Sequence, residues 1–153
     1  YDQLIVYHFL FPRDAGPGHP VWRRGVDGCA FVADHIDAAR LHLINRGVNL
    51  ICLSEAPFDQ IDAFKRRMGW KFPWYGGVTG QYHGEVFSPA AEALRPFPGL
   101  SAYQRQDGRV FLTYVTSGRG SDLLIGAYNY LDLSPLGRNE TQPMDWVQFH
   151  DEY

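Results

Sequence analysis

Two short apolar runs separated by a helix-length segment restrict the fold of this chain more than any other feature. The first run, Leu4 to Phe11, and the second, Val48 to Leu53, are rich in branched and aromatic residues and short enough to be strands. Between them the chain predicts a helix from about Cys29 to Arg46. Two strands of one sheet that a helix joins run parallel, with a right-handed crossover. The sequence therefore predicts an α/β fold with Leu4 to Phe11 in the centre of the sheet.

Residue types at the helix ends support this division of the chain. Asp27 is the predicted N-cap of the first helix, and Gly47 is its predicted stop. A second helix is predicted to begin with Pro57 at its first position, since proline suits the start of a helix. Gly69 is predicted to end that helix.

A hairpin is predicted in the second half of the chain. Residues 70–99, which precede it, are irregular and rich in Gly, Pro and aromatic residues, with only a short helical turn indicated from Pro89 to Leu94. Leu100 to Arg105 and Arg109 to Thr116 then flank the dipeptide Asp107-Gly108. Alternating runs on each side of Asp-Gly are typical of a two-residue hairpin.

The end of the chain completes a known order of elements. A last helix is predicted from Ser121 to Leu131 with Ser121 as its N-cap, and the polar tail that follows is long enough to pack back over the domain. The order βαβαββα is that of the thioredoxin fold. At 153 residues the chain has the size of one domain. We therefore expect a single thioredoxin-like domain over residues 1–153, with a four-stranded mixed sheet, helices on both faces and an irregular insertion before the hairpin.

Charge and hydropathy exclude several classes of partner. The formal net charge is −3 and the pI about 6.0, so there is no excess of cationic side chains to bind a phosphate backbone, and no nucleic-acid partner is expected. No apolar run approaches the length of a membrane span, so no membrane partner is expected either. The absence of a signal segment ahead of the first strand favours a cytoplasmic location. The sequence does not indicate which oligomeric state the protein adopts.

Cys29 is the candidate catalytic residue. It is predicted to lie in the first turn of a helix that follows a central strand, and open α/β sheets place their ligands at that edge. Unpaired backbone N–H groups at a helix start favour thiolate. The alternative is that Cys29 is a small buried residue. A pocket around it, for a small molecule, is predicted from five residues: Val26, Asp27, Gly28, Trp22 and Trp74.

Three segments of the chain resemble one known family. They are GVDGCAFVADHID at the start of the first helix, LICLSEAPFDQIDAFKRRMGWKFPW after it, and the ending YNYLDLSPLGRNETQPMDWVQFHDEY. The chain resembles the DUF899 family of thioredoxin-like proteins of unassigned function over nearly its whole length. The resemblance implies a thioredoxin-like fold and a further N-terminal segment ahead of Tyr1.

The resemblance also allows the dithiol motif of the family to be compared with the same segment of this chain. Many members of the family carry Cys-x-x-Cys before the first long helix, where this chain has Val26-Asp27-Gly28-Cys29. Only the second, resolving position holds a cysteine. A two-thiol exchange cycle cannot run within Val-x-x-Cys. The other cysteine, Cys52, lies within an apolar strand run, so no disulfide between the two is expected.

Three functions remain open from the sequence. The favoured one is a binding or redox-inactive thioredoxin-fold protein, for which no cofactor is predicted. The first alternative is a thiol-dependent redox enzyme that uses Cys29 alone. Asp27 and apolar neighbours oppose thiolate formation, so the pKa of Cys29 is predicted to be no lower than that of a free cysteine. The second alternative is a copper or zinc protein, in which His19 and His83 approach Cys29.

The segment Gly118-Arg119-Gly120-Ser121 is a weaker candidate. An anion could bind at the start of the helix that follows it. It matches neither phosphate-loop pattern, and a turn followed by an N-cap explains it better.

Overall fold

The computed structural model of the protein describes residues 1–13, 26–77 and 98–153. The strands are β1 (Gln3–His8), β2 (Val48–Leu53), β3 (Trp74–Tyr75), β4 (Gly99–Gln106) and β5 (Arg109–Ser117). The helices are α1 (Asp27–Asn45), α2 (Phe58–Met68), a 3₁₀ helix (Gly118–Leu124) and α3 (Gly126–Asp132). None of these helices is long and apolar enough to cross a membrane.

The five strands form one mixed sheet in the order β3-β2-β1-β4-β5. β1 is central: it runs parallel to β2, with Tyr7 opposite Cys52, and antiparallel to β4, with Tyr7 opposite Leu100. The predicted central position of the first strand is confirmed. The predicted strand extended to Phe11, whereas β1 ends at His8 and the chain beyond it continues as buried irregular backbone.

The prediction of four strands was wrong because β3 was missed. β3 has two residues, too few for any alternation to appear in the sequence. Backbone hydrogen bonds hold it against β2: the Cys52 amide donates to the Pro73 carbonyl at 2.8 Å, and the Ser54 amide donates to the Tyr75 carbonyl at 3.1 Å. The indole of Trp74 also donates to the Ser54 hydroxyl at 3.1 Å.

The extra strand changes where the helices lie. The chain steps outward from β1 to β2 and then from β2 to β3, through α1 and then α2. Two successive right-handed crossovers in one direction place both helices on the same face of the sheet. Buried residues of α1, α2 and α3 accordingly belong to one core with Tyr7, Cys52 and Trp74, which share a face by register. Within residues 1–13, 26–77 and 98–153 the helices therefore lie on one face, not on both as predicted.

The turns and helix stops follow the sequence closely. Asp107 and Gly108 have φ of 51° and 72°, the two positive values that a type I′ hairpin turn needs. Gly47 and Gly69 have φ of 76° and 71° at the ends of α1 and α2, as predicted.

The helix starts were predicted less well. Asp27 is the first residue of α1 rather than its N-cap, and its carboxylate accepts a hydrogen bond from the next amide, that of Gly28, at 2.8 Å. Pro57 is at the N-cap of α2, one residue before the predicted place. Ser121 caps no helix, because it lies inside the 3₁₀ helix and α3 begins only at Gly126.

Aromatic rings form the centre of the core. Phe9, Phe64, Trp70 and Trp74 lie within 4.6–6.4 Å of one another, measured between the ring centroids of each contacting pair. The C-terminal tail closes over this cluster, since the ring centroids of Phe64 and Phe149 are 5.3 Å apart. The predicted packing of the tail against the domain is therefore confirmed. The possible helical turn from Pro89 to Leu94 lies outside the described residues.

Candidate functional site

Cys29 lies in the first turn of α1, directly behind the end of β1. The chain that leaves β1 passes over the thiol, so that the Leu10 amide donates a hydrogen bond to Cys29 Sγ at 3.3 Å. The hydroxyl of Tyr7 donates to the Cys29 carbonyl at 3.3 Å. The side chain is 1% exposed. The amide that contacts the sulfur thus comes from the strand side, whereas the sequence predicted unpaired N–H groups at the start of its own helix.

Burial determines the protonation state of Cys29. The pKa of the thiol is raised from 9.0 to about 12, mainly by removal from water and also by the nearby Asp27 carboxylate. Hydrogen bonds from the Leu10 amide and the Tyr7 hydroxyl lower this pKa, but by less than burial raises it. This direction agrees with the prediction that the pKa of Cys29 is no lower than that of a free cysteine. Cys29 is therefore a neutral thiol near pH 7.

A cavity of about 260 Å³ lies beside Cys29. Its lining comes from the first turn of α1, from the 3₁₀ helix and from Met144 of the C-terminal tail. Most of the lining is apolar: Tyr7, Leu10, Gly28, Cys29, Val32, Pro98, Ile125, Pro143 and Met144. Gly28 lets the tail approach, since a Cβ atom on it would be 3.0 Å from Met144 Sδ. The shape and composition suit a small, mainly apolar molecule.

The polar part of the lining comes from the 3₁₀ helix. Arg119, Ser121 and Asp122 all line the cavity. Ser121 is 5% exposed, and its hydroxyl has no hydrogen-bond partner in the part of the chain that the structure describes. Buried hydroxyls normally have a partner, because an unsatisfied one keeps its desolvation cost.

The charges at this wall compensate one another. The Asp122 carboxylate accepts from Arg119 at 2.6 Å and from Arg138 at 2.9 Å. Arg138 also pairs with Asp132 at 2.8 Å, and this pair lowers the pKa of Asp132 and raises that of Arg138. The Arg138 guanidinium lies 3.9 Å from the centroid of the Tyr128 ring. Two cations and two carboxylates thus form a network without net charge.

The residues predicted to surround Cys29 are dispersed. Gly28 lines the cavity with it. Val26 is fully buried in the core, and neither it nor Asp27 lines the cavity. Trp74 lies in the aromatic cluster, with its indole bonded to Ser54. Trp22 lies outside the described residues.

The histidines predicted for a metal site are placed as follows. His19 and His83, the suggested ligands, lie outside the described residues. Among the residues that the structure describes, no group of three His, Cys, Asp or Glu side chains could hold a metal ion.

His35 joins two helices, since its Nδ1 lies 2.7 Å from the Phe31 carbonyl and its Nε2 lies 3.1 Å from the Ala127 amide. Because a carbonyl only accepts and an amide only donates, Nδ1 carries the proton and Nε2 is the acceptor.

The other cysteine has a structural position. Cys52 is 1% exposed in β2, both cysteines are free thiols, and burial raises the pKa of Cys52 well above 9.0. A buried strand cysteine was the favoured interpretation of this residue in the sequence.

Sequence reasoning missed the 3₁₀ wall as part of the site. The segment containing Arg119 and Ser121 was identified, but as a turn with an N-cap and as a possible anion site. Its glycines were the available signal: a Cβ on Gly120 would be 1.9 Å from Thr116 Oγ1, so this segment folds tightly against the end of β5. Nothing in the sequence places that wall beside Cys29.

Comparison with known proteins agrees with the fold. The sequence profile of the family described as "Bacterial protein of unknown function (DUF899)" matches residues 1–153. The search of curated proteins found no match.

The solved structures that are similar to the chain include two from Xanthomonas campestris. One is that of Xanthomonas campestris bacterioferritin comigratory protein, from work on its alkyl peroxide reduction activity, with a TM-score of 0.50 and 12% identity over 82% of this chain and 76% of that chain. The other is a cysteine-to-serine mutant of Xanthomonas campestris peroxiredoxin Q, with a TM-score of 0.45 and 13% identity over 84% of this chain and 78% of that one. At 12% identity the likeness to the first structure concerns the fold alone, which is thioredoxin-like.

Proposed function

We propose a function for this chain, which belongs to the DUF899 family: it binds a small, mainly apolar molecule in the cavity beside Cys29, and it does so without thiol chemistry. The observation that carries the proposal is the cavity itself, about 260 Å³ and lined mostly by apolar groups. A dry cavity of about 150 Å³ with aliphatic and aromatic walls already binds benzene. A molecule of slightly greater size fits here.

The state of Cys29 supports the second half of the proposal. A thiol with a pKa of about 12 supplies very little thiolate at neutral pH, and thiolate is the nucleophile. Val26 occupies the position of a partner thiol and is fully buried. Cys29 then acts as part of an apolar wall, with its sulfur against the ligand.

One observation favours a second candidate, a hydroperoxide reductase with a single cysteine. Cys29 lines the same cavity into which an organic hydroperoxide would fit, and Arg119 lines it as well. In such a reaction the thiolate attacks the terminal oxygen of ROOH, the O–O bond breaks, sulfenic acid forms and ROH leaves after taking a proton. The sulfur is oxidised and the hydroperoxide reduced; an added thiol would regenerate Cys29. This candidate requires a reactive thiolate, which burial opposes.

The binding proposal is tested with toluene as the probe. In a ¹H–¹⁵N correlation titration, we expect shifts at the amides of Cys29, Val32 and Ile125. Gly28→Leu adds a side chain where even a Cβ would lie 3.0 Å from Met144 Sδ, so it should occupy part of the cavity and abolish those shifts. Ala38→Leu, on the exposed face of α1, is the matched control and should leave them unchanged. Equal shifts in both variants would contradict the proposal.

A parallel assay separates the two candidates. Consumption of cumene hydroperoxide is followed in the presence of excess dithiothreitol, for the wild type and for Cys29→Ser. Binding without thiol chemistry predicts equal rates. Consumption by the wild type that is lost in Cys29→Ser would establish the hydroperoxide reductase instead.

A further inference from the structure

We infer that the ligand of this cavity is uncharged and carries one oxygen function, an alcohol or a carbonyl group, and that Ser121 is the residue that selects for it. This inference rests on the proposed binding function. It names the class of ligand: a small apolar molecule with a single hydrogen-bonding oxygen.

The first support is the unsatisfied hydroxyl of Ser121. The side chain lines the cavity, is 5% exposed, and has no hydrogen-bond partner for its Oγ among residues 1–13, 26–77 and 98–153. A serine hydroxyl has one donor and two acceptor positions. A ligand oxygen in the cavity would satisfy it and recover the cost of its burial.

The second support is the remainder of the lining. The wall formed by Cys29, Val32, Ile125 and Met144 offers no strong hydrogen-bonding group, because Cys29 is a neutral thiol whose sulfur already accepts from the Leu10 amide. A ligand with several polar groups would leave most of them unpaired, at a cost for each. Arg119 and Asp122, the charged groups of the lining, already pair with each other, so the Ser121 hydroxyl is the group that favours a ligand with one oxygen.

The third support concerns charge. Arg119 would attract an anion, but its guanidinium is 2.6 Å from the Asp122 carboxylate, which also binds Arg138 at 2.9 Å. The carboxylate on the same wall repels an anion, and Arg119 repels a cation. The balanced pair therefore favours a neutral ligand.

The test compares toluene with benzyl alcohol, which differ by one hydroxyl group. Dissociation constants for both are measured by titration calorimetry with the wild type and with Ser121→Ala. We expect Ser121→Ala to weaken benzyl alcohol roughly 2- to 13-fold, the range of one net hydrogen bond. Toluene should bind both proteins equally, within about twofold. The comparison of ratios cancels the different cost of removing each probe from water.

Two further variants keep the result interpretable. Ser121→Cys retains the size of the side chain but is a weak hydrogen-bonding group, so it should produce part of the same loss even if Ser121→Ala perturbs the 3₁₀ helix. Ser134→Ala, at an exposed position in the tail, should change neither constant. If toluene binds and the ratio is the same in all four proteins, the inference about Ser121 is wrong while the binding function stands. If neither probe binds the wild type, the proposed function itself is wrong.

Discussion

Slow alkylation of Cys29 is the most specific consequence of its environment. A thiol with the ordinary pKa of 9.0 is about 1% thiolate at pH 7, and one with a pKa of about 12 is about a thousandfold less ionised. We therefore expect iodoacetamide to modify Cys29 in the native protein far more slowly than a cysteine in an unfolded peptide, by about a thousandfold from ionisation alone. Exclusion of the reagent from a side chain that is 1% exposed slows the reaction further.

The assay is site-resolved mass spectrometry of alkylation between pH 6 and 10. Cys52, equally buried but in a strand, serves as the internal comparison, and the urea-unfolded protein gives the rate of the unprotected thiols. Protection should disappear in urea. An inflection of the Cys29 rate near pH 6 in the native protein would show that the helix start and the Leu10 amide outweigh burial. The reasoning about this site would then be wrong, and the hydroperoxide reductase would become the better candidate.

Two predictions concern the stability of the fold. The pKa of Cys29 rises on folding, so the contribution of its neutral thiol to the free energy of unfolding is fully present below pH 9 and is lost as the pH rises toward 12. Chemical denaturation should show that the free energy of unfolding of Cys29→Ala falls by about 4 kcal/mol less over that range than that of the wild type. Equal decreases in the two proteins would contradict this prediction. His35→Ala should lower the free energy of unfolding, measured by urea titration, by about 1–3 kcal/mol because it leaves the Ala127 amide without its acceptor. The control His42→Ala, at an exposed position of α1, should change it by less than about 0.5 kcal/mol. Similar values for both variants would contradict the bridging role of His35.

The sequence predicted the parts of the fold that depend on local chemistry. The central strand, the parallel pairing with β2 and the hairpin at Asp107-Gly108 each follow from residue patterns within a few positions. The glycine stops of α1 and α2 do so as well, since both glycines adopt positive φ. Family resemblance then agreed with the thioredoxin-like fold.

The features that sequence reasoning missed depend on contacts distant in the chain. β3 exists because β2 offers a free edge to Trp74 and Tyr75, which by themselves show no strand pattern. Ser121 resembles an N-cap in sequence, but the tight turn at Gly120 draws it into a 3₁₀ helix.

In the candidate site, too, the features with a local sequence signal were predicted and those that depend on distant contacts were not. Cys29 was identified from its place at the start of a helix, and the effect of burial on its pKa was predicted in direction. A pocket around it was predicted, but its distant walls were not, because Ile125 and Met144 reach it from about 100 residues away in the chain. Only the folded tail and the 3₁₀ helix bring those walls together.

The most direct test of the proposed function is a crystal structure of the protein exposed to toluene. We predict that the ring lies between the first turn of α1 and the 3₁₀ helix, in contact with Cys29 and Ile125, and that the sulfur of Cys29 is unmodified. A cavity that remains closed to toluene, or a Cys29 sulfur that carries oxygen, would contradict the proposal.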